Sequence, residues 1–161
     1  MTVVGYAGLV WVALAPALAA WGGRAVVKTT LLTAACVWTA DLLATATKAL
    51  AGRARPFETV PEADPLLAGT VGNSFPSGHA ATSFAGFVLL ALLVRRARPV
   101  LFVLAMLVSF SRVYVGVHYP LDVLAGAALG AAVAVGLVLL LRAPPRLSGV
   151  RRRSVEAPPP G

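Results

Sequence analysis

The chain has 161 residues, of which 58% are hydrophobic and only 12% charged, and its mean hydropathy is +0.83; an ordinary soluble domain carries about 25% charge. That balance excludes a typical soluble globular protein, since one core of this size cannot hide so much continuous apolar surface, and it points to lipid as the solvent. The net charge of +8, from 14 Lys and Arg against 6 Asp and Glu, admits nucleic acid, a membrane surface or an anionic substrate as partner. Where those charges sit has to choose among them. The single cysteine, Cys36, excludes an intrachain disulfide and a thiolate metal cage and reads as a small buried hydrophobe.

A bilayer core about 30 Å thick takes about 20 mostly apolar residues in helical form. Five segments of that kind follow one another, over 3–21, 25–50, 79–94, 99–117 and 121–141. The first ends in Ala17-Leu18-Ala19, which imitates a leader cleavage site, but no positive n-region precedes it, so it reads as a retained span. The second is interrupted by Asp41, the third stops at Arg95 and Arg96, the fourth carries Arg112 near its far end, and the fifth has Asp122 in its first turn. Their apolarity on every face predicts an all-α integral membrane helical bundle of about five transmembrane helices within residues 1–142. The connection 51–76 holds Pro56, Pro61 and Pro65 with Glu58, Glu62 and Asp64; it reads as an extramembrane loop long enough to be functional. The tail 143–161, with Arg151-Arg152-Arg153 and Pro158 to Pro160, reads as basic, Pro-rich and disordered.

Lys and Arg placement sets the orientation, because positively charged loops stay cytoplasmic. Arg24, Lys28, Arg95, Arg96, Arg98, Arg142, Arg146 and the Arg151 to Arg153 run fall on one side; Lys48, Arg53, Arg55 and Arg112 fall on the other. The first side is therefore expected to be cytoplasmic together with the C-terminus, and the Pro-rich acidic loop and the N-terminus to face outward. Tyr6, Tyr114 and Tyr119 then lie near the outer interface and Trp21 near the inner one. Spread over loop ends with no aromatic platform between them, these cations are not a nucleic-acid surface.

The outward side carries the residues suited to chemistry. Both histidines, His79 and His118, stand at or just before the start of a span, beside Lys48, Arg55 and Arg112. One histidine at a helix start is ordinarily a polar surface residue, and Lys48 or Arg112 alone could snorkel to the headgroups; together they resemble an anion site with an acid and base pair. In Pro76-Ser77-Gly78-His79, Ser77 can cap the third span and Gly78 lets the backbone approach an anion at a helix N-terminus. Pro120 suits the first position of the last helix, which leaves Asp122 in its first turn, able to accept a hydrogen bond from one nitrogen of His118 and leave the other as nucleophile or base. Pro56 disfavours helix at Arg55, so the second span ends between Lys48 and Arg55 and turns these cations inward, Arg as a fork and Lys as a point charge. Asp41 lies seven residues before Lys48, about 10 Å deeper by helical rise; it is either an accessory functional acid or the partner of Thr45 or another span.

Lys48-x6-Arg55-Pro56, Pro76-Ser77-Gly78-His79 and Ser111-Arg112-x5-His118-x3-Asp122 resemble the three signature motifs of the type 2 phosphatidic acid phosphatase superfamily, which includes vanadium haloperoxidases and bacterial acid phosphatases. Every defining position is matched, in order, from Lys48 to Asp122. Membrane members commonly have six spans where five are counted here, the difference falling N-terminal to the motifs. The resemblance implies that His118 attacks phosphorus, Asp122 orients it, and His79 protonates the leaving oxygen and later activates water. Lys48, Arg55, Ser77, Gly78 and Arg112 would hold the phosphoryl oxygens. It implies no metal and no cofactor, and a lipid phosphate as substrate. A polyprenyl diphosphate such as undecaprenyl diphosphate or a prenyl-phosphosugar phosphate is favoured, with phosphatidylglycerol phosphate or phosphatidic acid as alternatives. A haloperoxidase-like vanadate site and a non-catalytic lipid-binding or transport protein are the competing readings; the sequence leaves the oligomeric state open.

Overall fold

The computed structural model describes residues 4–59 and 71–142. The central part of the loop, including Pro61, Glu62, Asp64 and Pro65, and the basic tail lie outside the described residues, as does the side chain of Tyr6. Among the described residues the chain is all helical: α1 (Val4–Trp21), α2 (Val26–Ala51), a single turn α3 (Pro56–Thr59), α4 (Gly78–Leu93), α5 (Arg98–Tyr114) and α6 (Pro120–Arg142). A 3-10 turn, Arg95–Ala97, joins α4 to α5. The stretches Val26–Thr59, Arg95–Tyr114 and Pro120–Arg142 are long and apolar enough to cross a membrane, and Gly8–Trp21 and Gly78–Leu93 are shorter apolar helices. The protein is a membrane helical bundle.

Its surface is that of a chain dissolved in lipid. Leu31, Leu42, Val100, Phe110 and Leu140 are each more than 60% exposed, a waste of apolar area in water but the expected outer face of a bundle in a bilayer. Inside, small residues replace large ones. Cys36, Ala40, Ala44, Ala81, Ala85 and Ala134 form one buried cluster with Leu89, and the Cys36 thiol points at the Ala85 carbonyl. Without a hydrophobic drive between helices, close backbone approach supplies the attraction.

α4 is the axis of the bundle, in contact with α1, α2, α5 and α6, and most extensively with α6. Gly126 and Gly130 permit that last contact: a Cβ on Gly126 would collide with the Ser77 carbonyl oxygen, and one on Gly130 with that of Ala81. Because the starts of α4 and α6 are thus pressed together, the second and third motifs meet at one end of the bundle. On the other flank Trp11 of α1, fully buried, fills the space left by Gly86.

Helix ends follow local chemistry. α2 stops at Ala51, where Gly52 adopts φ 60° and its N–H closes on the Lys48 carbonyl, a left-handed cap that glycine supplies without strain. The fourth span, α5, is shorter than the 99–117 read from apolarity. It ends at Tyr114, and Gly116, with φ 74°, lets the chain turn at once toward His118. Hydropathy overran the boundary because Val115 and Val117 are apolar without being helical.

Candidate active site

Three segments converge where α2 ends and α4 and α6 begin. Ser77 caps α4, its Oγ accepting from the Ala80 N–H at 3.5 Å, and its own N–H donates to the Asp122 carbonyl at 2.9 Å. Asp122, fully buried in the first turn of α6, is thereby tied by its backbone to the start of α4. His79 sits in the first turn of α4 and is 9% exposed; His118, at 6%, lies in the 115–119 turn. The His118 N–H donates to the Arg112 carbonyl at 3.3 Å, and the Arg112 side chain is held locally, Nε to Ser111 Oγ at 3.0 Å.

The cations of the first motif enter the same region with most of their hydrogen-bonding power directed at backbone. Arg55, 5% exposed, donates from Nε to the Gly72 carbonyl at 2.8 Å and from Nη1 to the Val117 carbonyl at 2.9 Å, with a longer contact to Val71 at 3.4 Å. Lys48 Nζ donates to the carbonyls of Asn73 at 3.0 Å and Ser74 at 3.3 Å, and Asn73 Nδ2 returns a bond to the Lys48 carbonyl at 2.7 Å. The two cations therefore pin the 71–74 strand of chain over the site, and Arg55 also fixes the residue before His118.

Burial lowers the Arg55 guanidinium from its ordinary range, and Glu58 and Asp122 push it back up. The His118 ring is pushed down to about 3. Burial is the main cause, the positive charges of Lys48 and Arg55 and the neighbouring His79 add to it, and Asp122 works against them. The imidazole is thus neutral at neutral pH, with one nitrogen bearing a lone pair.

The predicted hydrogen bond from His118 to Asp122 is not formed: Nδ1 lies 3.6 Å from Oδ2. Asp122 directs its oxygens elsewhere. Oδ2 accepts from the Tyr119 N–H at 2.9 Å and from Ser74 Oγ, and Oδ1 pairs with Arg53 Nη1 at 2.8 Å. The i,i+4 spacing brings the two side chains near each other, but the residue just before the helix offers the carboxylate a backbone N–H that is geometrically better placed. Arg53, left outside the site by the sequence reading, is thus part of it, and its guanidinium also lies 4.3 Å from the centre of the Tyr119 ring. Tyr119 in turn meets Thr59 of α3 through its hydroxyl at 2.7 Å. Ser74 was missed as well; no motif marks it. Asp41 makes no bond to Thr45, whose side chain is exposed on α2, and its Oδ1 is buried without a hydrogen-bond partner among the described residues.

Residues 25–145, more than half of the chain, match the PAP2 superfamily. The chain belongs to this superfamily. This PAP2 chain is 40% identical over 91 residues to the bacitracin transport permease protein BcrC of Bacillus licheniformis, covering 56% of this chain and 45% of that protein. It is 42% identical over 92 residues to the undecaprenyl-diphosphatase of Sulfolobus acidocaldarius, again 56% and 45%. The chain spans about half the length of these curated relatives. Its fold superposes on the PAP2 type phosphatidylglycerolphosphate phosphatase of Bacillus subtilis with a TM-score of 0.59 at 28% identity, covering 69% of this chain and 58% of that one. A groove of about 570 Å³ lined by Phe87, Leu92, Arg98 and Phe102 opens at the opposite end of this PAP2 bundle, where no histidine or carboxylate is described.

Proposed function

We propose that this protein is a membrane lipid phosphatase that hydrolyses a lipid diphosphate or phosphomonoester at the outer leaflet through a phosphohistidine. The observation that carries the reading is the physical locking of the three motif segments: Ser77 bonds to Asp122, and Arg55 bonds to the carbonyl beside His118. Such preorganisation is what a phosphoryl-transfer site requires, since positioning and charge stabilisation do most of the work.

In the proposed reaction a lone-pair nitrogen of neutral His118 attacks phosphorus while the bond to the leaving oxygen breaks, and His79 delivers a proton to that oxygen. His79 then takes a proton from water, whose oxygen attacks phosphorus and breaks the P–N bond, releasing phosphate and regenerating His118. Lys48, Arg55, Arg112, Ser77 and the Gly78 amide are the anion-binding groups. Those of Lys48 and Arg55 now on the 71–74 carbonyls can exchange partners when a phosphate arrives, because charged donors favour an anionic acceptor over a neutral carbonyl. Asp41, seven residues before Lys48 on α2, is the candidate accessory acid.

A polyprenyl diphosphate is the favoured substrate, supported by the undecaprenyl-diphosphatase among the relatives; the Bacillus subtilis likeness keeps phosphatidylglycerol phosphate as the alternative. The excess of Lys and Arg at the far end supports a cytoplasmic far end and tail 143–161 and an outward-facing site. The relative named as a bacitracin transport permease protein supports a second reading, a non-catalytic lipid-binding or transport protein. Detergent-purified protein offered a panel of lipid phosphates and diphosphates is expected to release phosphate with EDTA present, to be inhibited by vanadate, and to lose at least about 10⁴-fold in kcat in His118→Ala. Lipid binding with no turnover across the panel would favour transport instead.

A further inference from the structure

We propose that Ser74 is a positioning residue that links Asp122 to His118 through its hydroxyl and fixes which nitrogen of His118 carries the proton. The catalytic consequence rests on the function proposed above, but the tautomer does not. Ser74 is fully buried. Its Oγ donates to Asp122 Oδ2 and lies 3.4 Å from His118 Nδ1, nearer than the carboxylate itself at 3.6 Å. Its backbone is clamped from both sides, the N–H by the Arg53 carbonyl at 2.7 Å and the carbonyl by Lys48 Nζ at 3.3 Å. A hydroxyl in that position has little freedom to turn elsewhere.

The direction of the chain follows from the donor inventory. A serine hydroxyl has one proton and two lone pairs. An ionised carboxylate can only accept, so the Ser74 proton goes to Asp122 and a lone pair faces Nδ1. A neutral ring then places its proton on Nδ1, donating to Ser74, and its lone pair on Nε2. When Nε2 bonds to phosphorus the ring gains positive charge while keeping the Nδ1 proton, and the charge is balanced by Asp122 across the serine. No proton moves along the chain and no additional reactant is needed. Arg53 on Oδ1 and the Tyr119 N–H on Oδ2 hold the carboxylate in the rotation that the arrangement needs.

The chain has only two histidines, which makes the tautomer directly readable by 15N NMR of histidine-labelled protein in detergent, with His79→Asn assigning the signals. The wild type at pH 7 is expected to show His118 as the Nδ1–H form. Ser74→Ala is expected to mix the two forms and to lower kcat about 10- to 100-fold, the usual cost of losing an orienting partner, with KM changed less than about twofold. Ser74→Thr keeps the hydroxyl and is expected to keep the Nδ1–H signature. An Nε2–H ring in the wild type, or an unchanged tautomer in Ser74→Ala, overturns the proposal. If Ser74→Ala fails to fold, the wild-type and threonine spectra decide alone. Absence of turnover on every lipid phosphate with the Nδ1–H form intact would overturn the phosphatase reading and leave the Ser74 assignment standing.

Discussion

At one end of the bundle charged side chains are folded inward and bonded, and at the other they stand in the open. Asp122 and Arg55 are almost wholly buried, and Arg53, Lys48 and Arg55 together engage one carboxylate and five carbonyls. Arg24, Arg95, Arg96 and Arg98 are exposed, and the described bonds of Arg24 and Arg98 go to the carbonyls of Leu93 and Ala91, at the last turn of α4. A cation near a helix C-terminus is favoured by the dipole and still reaches water. A buried cation has to be given its partners by the fold. The same residue type is therefore a structural commitment at one end and a removable label at the other, and substitutions should separate the two.

The largest effect is expected between the ends, at the α4–α6 seam. Gly130→Ala puts a methyl group against backbone, the Ala81 carbonyl and the Ala85 nitrogen, neither of which can rotate away. Overpacking of that kind costs about 3 kcal/mol, and thermal unfolding in detergent should show it, together with lost activity because Ser77 and Asp122 move apart. Gly136→Ala, further along the same helix with nothing within 4 Å of the new Cβ, is the control. It should leave both unchanged or slightly raise stability. Equal losses at the two positions would deny the close contact.

Arg55→Met comes next. The carbonyls of Gly72 and Val117 lose their donors inside the protein, at about 2–3 kcal/mol for hydrogen bonds to a charged group. Activity should fall further than stability explains, because the 71–74 segment and the His118 turn come loose together. Arg55→Lys should restore little, since one ammonium cannot span both carbonyls.

The pH dependence of stability should expose His118. Its folded pKa of about 3 lies below the ordinary 6.5, so between those values the unfolded chain binds a proton that the native one refuses. The contribution is fully present above pH 6.5 and is lost as pH falls toward 3, reaching at most about 2 kcal/mol by pH 5. The melting temperature of His118→Asn should decline less between pH 7 and pH 5 than that of the wild type. Parallel declines would mean that the ring is not held neutral.

How much of this was visible in the sequence divides along the same line. The helices and the residues of the three motifs were legible, because apolar runs and the Pro-Ser-Gly-His and Arg-x5-His-x3-Asp spacings are local. Ser74 and Arg53 were not, since their roles depend on contacts with Asp122, 48 and 69 positions away, which periodicity cannot reveal. The Asp122 rotamer was misjudged for a related reason: its spacing to His118 was correct, but the competing Tyr119 N–H stands immediately before α6, within reach of an acid at the third helical position. The Gly126-x3-Gly130 pair did carry a readable signal, the small-residue spacing of close helix contacts. Asp41 stands out in the sequence as an acid within a span, and its Oδ1 has no hydrogen-bond partner among the described residues.

The smallest effect belongs to the basic end. Arg95 and Arg96 are exposed in the 3-10 turn between α4 and α5, and no acidic residue is described at that end of the bundle. Replacing both with Ala should change unfolding by less than about 0.5 kcal/mol, as for surface positions without buried partners, and leave kcat and KM within about twofold. What the substitution should disturb is insertion. In the proposed orientation the turn loses two of the positive charges that favour the cytoplasmic side, so a fraction of newly made chains should take the opposite orientation, read by labelling a cysteine placed beside Arg98 from outside intact cells. If instead the double variant is correctly oriented but less active, these arginines act on the site through the 16 residues of α4, and the separation of the two ends fails. Placing two lysines at the same positions distinguishes the cases, since charge alone should restore orientation whereas a specific guanidinium contact would not return.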